Sequence, residues 1–367
     1  MVPVRNYGLD LLRILLCLTV IFFHYSGVWN CGGSVAVDGF FILSGFLAIH
    51  SSGGFSQGGI GEYYRKKVWR LLPVMIIAVV LTRGLSYIVL LIGGHQAPAW
   101  FDFRMLMVAP TLAVVKMTGN MTFWFLVCIM AFLALFPLLR LCYGKKLFMW
   151  LLVSSVLFAA FRSSFRPFAV MDSDGLYYQV TFRMWQFFLG MWCASWNVER
   201  WKLSWRWFWI SAGVAWLLAS SVVSREGIGF LNYSFPGYLV SSSLFALCIA
   251  SLWSVQLPSL SKKLLKWMGT AAGMTYALFL FHIPVMQGMA KIFRMLRKYG
   301  GVDWREDDFP VLFWGMVLCI LLLVSYFIYQ YVEVRWVGKV LRKEPGAWNK
   351  VPERAGEEWP DEIFRKR

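Results

Sequence analysis

Charged side chains are scarce in this chain, at 15% of 367 residues, against 59% hydrophobic residues and a mean hydropathy of +0.59. A soluble globular domain carries about 25% charge. The shortage excludes that class and predicts an all-α polytopic membrane protein. Histidine is scarce too: the four present (His24, His50, His95, His282) have no metal-ligand spacing, and there is no HExxH. Seven cysteines contain no CxxC pair. Cys17, Cys128, Cys193, Cys248 and Cys319 fall in apolar runs, Cys142 in a loop expected to be cytoplasmic, and only Cys31 is expected to face outward. A zinc site and a disulfide framework are therefore not expected.

Acidic residues number 19 against 36 Lys and Arg, a formal charge of +17. The cations are scattered through short loops between apolar runs, which suits lipid head groups and membrane topology rather than nucleic acid. Other signatures are missing. The opening apolar segment carries Asp10 and Arg13, unlike a cleavable signal peptide. The glycines from Gly53 to Gly61 lack the GK[ST] of a phosphate-binding loop. No fixed-period repeat is visible, nor a pair of Gly/Pro-interrupted spans of the kind found in inverted-repeat transporters.

Ten apolar runs of spanning length are present, near 9–29, 35–50, 73–93, 120–139, 147–161, 181–197, 207–223, 237–254, 275–292 and 311–331. Each is predicted to be a helix, because hydrocarbon leaves no partner for unsatisfied backbone. Trp100 to Met117, broken by Pro110, reads as an interfacial or re-entrant piece. With the N-terminus inside, 23 Lys and Arg fall on inner segments and nine on outer ones. Both termini are thus expected in the cytoplasm. Residues 1–340 are expected to form the membrane domain and 341–367 a charged cytoplasmic tail, too short for a separate globular unit.

Three constellations stand out. In the first run, Arg13 and His24 are eleven residues apart, about 20° past three full turns, and so share a helix face about 16.5 Å apart along the axis. Asp10 lies about 60° from Arg13 on that face. Ionisable groups at membrane depth cost about 2.5 kcal/mol or more unless they face a wet or paired interior. One reading is a functional lining; the other is an Asp10–Arg13 ion pair that holds helices together, with His24 at the interface. The second constellation is Ser34 to Leu47, where Asp38 lies near the outer end of the second run. The short Cys31–Ser34 connection makes the first two helices antiparallel, so His24 and Asp38 fall at similar depth. A histidine oriented by a carboxylate is a general-base arrangement; a helix-terminal acid is the plainer reading. Gly39, Ser44 and Gly45 admit a close neighbour, helix or ligand. The third is Tyr63 to Pro73, where Arg65, Lys66, Lys67 and Arg70 precede a span and suit either phosphate binding or lipid anchoring.

In order along residues 7–340, these pieces resemble the membrane-bound acyltransferase-3 family. The residues carrying the resemblance are Leu9-Asp10 with Arg13 and His24, Val37 to Leu47, Arg65 to Pro73, Trp124-Phe125-Leu126 leading to Phe136-Pro137-Leu138-Leu139, Tyr276 to Pro284, and Glu333. Many members carry a glutamate shortly after the Trp-Phe-Leu element; Val127, Cys128 and Ile129 stand here instead. The resemblance implies acyl transfer, most often acetyl, from an acyl-coenzyme A donor such as acetyl-CoA to a carbohydrate hydroxyl, with a bacterial inner-membrane location. Carried onto this chain, it makes His24 the general base, Asp38 its helper, and Arg13, Arg65 and Arg70 coenzyme A contacts. No metal and no nucleic-acid partner are expected. His282, ahead of Pro284, reads first as a hydrogen-bonded core residue, and Arg83 and Arg183 line the same cavity or pair with acids. The rival reading is a transporter or flippase for a lipid-linked sugar or small anion. Asn120-Met121-Thr122 and Asn232-Tyr233-Ser234 fit the N-glycosylation pattern, which recurs by chance.

Overall fold

A computed structural model describes residues 5–26, 33–50, 55–92, 110–164, 178–196, 205–219, 235–254, 261–300 and 310–342. The Cys31 turn, the Asn232 sequon, most of the Trp100–Met117 piece and the tail beyond Arg342 lie outside them. Each of the ten apolar runs falls on a helix, and no strand occurs among the described residues. The helices are α1 (Tyr7–Ser26), α2 (Gly33–His50), α3 (Phe55–Ile92), α4 (Pro110–Thr118), α5 (Phe123–Cys142) and α6 (Lys146–Ser164). They continue with α7 (Val180–Cys193), α8 (Trp205–Ala219), α9 (Phe235–Ser254), α10 (Lys262–Gly300) and α11 (Pro310–Phe327). A π-helical stretch, Ile328–Val337, extends α11 into the short α12 (Gly338–Arg342). Six helices (α1, α5, α6, α9, α10 and α11 with its extension) are long and apolar enough to cross a membrane, and α2 supplies a shorter apolar helix. Cys142 closes α5 rather than lying in a loop, and the six described cysteines are all free. Pro110 is the first described residue of α4.

The outside of the bundle is apolar: Val311, Trp150 and Leu157 are 87%, 68% and 63% exposed. Such side chains suit lipid. α1, α3 and α11 pack against α10, and α7 and α9 against α2. Phe41, Phe125, Phe132 and Phe187 fill the space between α2, α5 and α7, with ring centroids 4.8–5.8 Å apart. Gly59 divides α3 with a left-handed backbone (φ 69°), a conformation that glycine adopts without a Cβ penalty.

Proline inside a helix leaves the carbonyl four residues earlier without its N–H. In α5, Pro137 frees the Leu133 carbonyl, and the Tyr63 hydroxyl of α3 donates to it at 3.0 Å. In α10, Pro284 frees the Leu280 carbonyl, and the Asn120 side-chain amide donates to it at 2.9 Å. Asn120 is fully buried in that role, with its amide oxygen accepting from the Thr122 backbone and hydroxyl, so its sequon is closed to a glycan. Each proline is thereby tied to a distant segment.

α2 and α7 cross at two glycines. A Cβ on Gly45 would run into the Phe187 carbonyl, and one on Gly190 into the Ile42 carbonyl. Of the two occupants left open for the Gly45 surface, the structure supplies a helix. Gly45→Ala and Gly190→Ala are expected to destabilise the bundle by about 1–3 kcal/mol each, the usual cost of overpacking. Gly213→Ala in α8, where a Cβ meets nothing within 4 Å, should be neutral. Thermal unfolding in detergent checks all three; equal Tm values across the set would refute the close crossing.

Candidate functional site

At one end of α1, cations outnumber carboxylates. Asp10 is buried and takes a 2.5 Å hydrogen bond from Arg5 Nε, while Arg5 also donates to the Gly269 carbonyl at 2.9 Å. Arg13 stands 3.9 Å from the other Asp10 oxygen. Asp10 is thus engaged mainly by Arg5, and the Asp10–Arg13 ion pair weighed from the sequence is the looser contact. Arg70 of α3 lies close enough for its charge to bear on Arg13, on Lys67 and on Glu333. Two contacts hold α3 there: the Tyr276 hydroxyl donates to the Leu71 carbonyl at 2.9 Å, and Trp69 meets Trp336 edge-on at 6.0 Å. The π-helical stretch brings Glu333 to this group, and such stretches recur at functional sites. Arg5, Arg13, Lys67 and Arg70 thus gather with Asp10 and Glu333 among the described residues. Before the apolar part of α3, burial and the neighbouring Arg70 charge lower Lys67 to about 8.

Arg65 has another partner. It donates to both oxygens of Glu62, at 2.7 and 3.0 Å, and Lys66 reaches the same carboxylate at 3.2 Å. These hydrogen bonds hold Glu62 below the usual carboxylate range. Of the three cations singled out from the sequence, the structure brings Arg13 and Arg70 together and turns Arg65 toward Glu62.

The other end of α1 carries His24, which is exposed, with its ring 5.1 Å from Phe23 and 5.2 Å from His282 of α10. His282 is fully buried. Its Nδ1 lies 2.7 Å from the Phe279 carbonyl, and its Nε2 is buried without a hydrogen-bond partner. The Tyr25 hydroxyl donates to the His282 carbonyl at 3.3 Å, joining α1 to α10 next to the ring pair.

Asp38 is not the neighbour of His24. Lying five residues into α2 rather than in its first turn, it is fully buried, with Oδ1 2.8 Å from Arg183 of α7 and Oδ2 accepting from Ser241 of α9 at 3.0 Å. Arg183 also donates to Gln186 at 3.1 Å, and Gln186 donates to Ser242 at 3.0 Å. Phe41, Trp124, Phe182 and Tyr238 surround the guanidinium at 5.0–5.8 Å, where their ring faces attract the cation. Asp38 is instead engaged in an ion pair tying α2, α7 and α9. A signal was available: a carboxylate at membrane depth calls for a cation at the same depth, and Arg183 is one of few. Arg83 has a local task, donating to the Lys116 and Met117 carbonyls at the end of α4. Asn120, marked in the sequence only as part of a sequon, is the donor that Pro284 requires for the Leu280 carbonyl. Among the described residues no three His, Cys, Asp or Glu side chains gather as a metal site.

The described residues thus form an all-helical, apolar bundle with a cationic cluster at one end of α1 and, at the other, His24 beside His282 of α10. The acyltransferase-domain family, acyltransferase 3, matches residues 6–330, and the chain belongs to it. The chain is also similar to O-acetyltransferase OatA of Staphylococcus aureus strains NCTC 8325, COL and MRSA252. The match is 33% identical over 86 residues, 22% of this chain and 14% of the length of those relatives. No solved structure matches.

Removing one member of a buried ion pair leaves an uncompensated charge and costs about 3–5 kcal/mol. Asp38→Leu or Arg183→Met alone should therefore lower Tm sharply, and the double variant should recover much of the loss. Thermal unfolding of the three proteins checks this; a double variant as unstable as the sum of the singles would refute the pairing.

Proposed function

We propose that the protein is an O-acyltransferase of a bacterial inner membrane, with both termini cytoplasmic, that moves an acyl group from acyl-coenzyme A to a carbohydrate hydroxyl. Acetyl is the favoured group, in keeping with the name of the OatA relatives. The observation that carries the reading is the division of α1: Arg13 beside Arg70 at one end, and an exposed His24 about 16.5 Å along the same face. Coenzyme A is long, with phosphates at one end and the thioester at the other, and a cationic end separated from an imidazole suits it. Guanidinium groups bind phosphate through charge-assisted, often bidentate hydrogen bonds.

His24 then removes the proton from the acceptor hydroxyl. The oxygen attacks the thioester carbonyl carbon, the C–S bond breaks, and the departing thiolate takes up the proton held by His24. Arg13 and Arg70 hold the donor phosphates, with Lys67 beside them; Arg65 contributes by exchanging Glu62 for phosphate. Asp38 supports His24 indirectly, by fixing α2, which packs against α1, to α7 and α9.

General-base assistance contributes about 10²–10⁴-fold. His24→Ala should lower acetyl transfer by that factor while leaving Tm near wild type, measured with labelled acetyl-CoA and a panel of glycans on purified protein. Full activity in the variant removes His24 from the reaction. Arg13→Ala and Arg70→Ala should raise KM for the donor more than Arg65→Ala, whose side chain is already occupied by Glu62.

Lys67 adds a pH dependence. With its pKa lowered to about 8 in the free protein, it loses its charge as pH rises through that value. Phosphate binds the protonated form, so donor affinity should fall several-fold between pH 7 and pH 9. Lys67→Arg, charged throughout, should flatten the curve. Titration of acetyl-CoA binding at the two pH values decides it.

A further inference from the structure

We propose that His282 is a positioning residue for His24: its Nε2 accepts a hydrogen bond from one ring N–H of His24 and leaves the other His24 nitrogen free to take the hydroxyl proton. This rests on the reading of His24 as the general base.

The tautomer of His282 follows from its contacts. A backbone carbonyl oxygen can only accept, so the 2.7 Å contact to Phe279 requires the proton on Nδ1. In the neutral ring, Nε2 is then a lone pair. That atom is buried and has no partner, a costly condition inside a bundle. Its aromatic neighbours, Phe279 at 5.8 Å and His24 at 5.2 Å between centroids, include one ring with a polar hydrogen. Two imidazoles sharing an N–H···N hydrogen bond of ordinary length have centroids about 5 Å apart. A small rotation of the exposed His24 ring closes the bond.

Access separates the two roles. His24 is exposed and can be reached by a substrate, whereas His282 has no exposed surface. Asn120 holds the Leu280 carbonyl and Tyr25 the His282 carbonyl, so the backbone on both sides of the buried ring is pinned from α1 and from the turn before α5. Once His24 has accepted the hydroxyl proton, its hydrogen bond to His282 becomes charge-assisted and about twice as strong. An interaction that strengthens along the reaction acts on kcat rather than on substrate binding. The proton later passes from His24 to the coenzyme A thiolate, and His282 keeps its own proton throughout.

His282→Phe keeps the ring volume without an acceptor, while the Oε1 of His282→Gln stands close to where Nε2 was. Labelled acetyl transfer should show kcat reduced roughly 10- to 100-fold in His282→Phe, the factor of one hydrogen bond to a charged group, with donor KM within about twofold of wild type. His282→Gln should recover most of the rate. Equal loss in both variants at matched Tm, or full activity in His282→Phe, overturns the proposal. In a His24→Ala background, His282→Phe should add nothing further; a multiplicative loss also overturns it. If His24→Ala itself retains activity, the parent reading fails instead. A variant-free measurement stands beside these: with only four histidines, 15N-histidine solid-state NMR of the wild type should show one Nδ1–H tautomer whose Nε2 is coupled to the N–H of a second ring. No inter-histidine coupling at a pH where both rings are neutral refutes the pair.

Discussion

Hydrocarbon offers no hydrogen-bond partners, so a polar group buried in this bundle depends on the protein itself for one. The constraint is visible where the chain breaks its own helical ladder. Pro137 and Pro284 each leave a carbonyl open, and the donors come from Tyr63 and Asn120, distant in sequence. It is visible again at Asp38, whose burial is tolerable because Arg183 and Ser241 meet both oxygens. These contacts set which helices lie side by side. They place α3 against α5, the Asn120 turn against α10, and α2 against α7 and α9.

With those helices fixed, α1 presents Arg13 near one end and His24 near the other. Its Leu9, Leu12 and Leu16 are packed into the core, and Arg13 and His24 lie on the adjoining face, about 80° round the helix. Arg5 takes up Asp10, which frees Arg13 from close neutralisation and leaves it in company with Arg70. The protein thus has a buried charge pair that stabilises the scaffold and a separate, under-neutralised cationic group. The distinction is one of solvation. A fully buried pair must neutralise itself, whereas cations near an aqueous edge can wait for an anionic ligand.

The α-helical membrane class and the family were legible in the sequence. Apolar length and the ordered motifs report them directly. The pairing of Arg13 with His24 on one face was legible too, since helical periodicity is local. Asp38 was harder: adjacency in sequence suggested His24, but a carboxylate in a bundle is governed by the cation that reaches it, and Arg183 comes from a helix 145 residues later. Arg65 and Arg70 look alike in a basic run. Glu62, one turn before Arg65, separates them. The histidine before Pro284 gave no sign of its neighbour.

What the sequence determined by itself is everything that depends on local period and solvent: helices, their apolar faces, and the shared face of Arg13 and His24. Tertiary structure alone decided which polar groups meet, namely Asp38 with Arg183, Arg13 with Arg70, and His24 with His282. The reason is physical. A helix fixes the direction of each side chain relative to its own axis, but the identity of its partner depends on how separate helices dock, and that is set by glycine crossings, proline carbonyls and buried charge acting across the whole bundle.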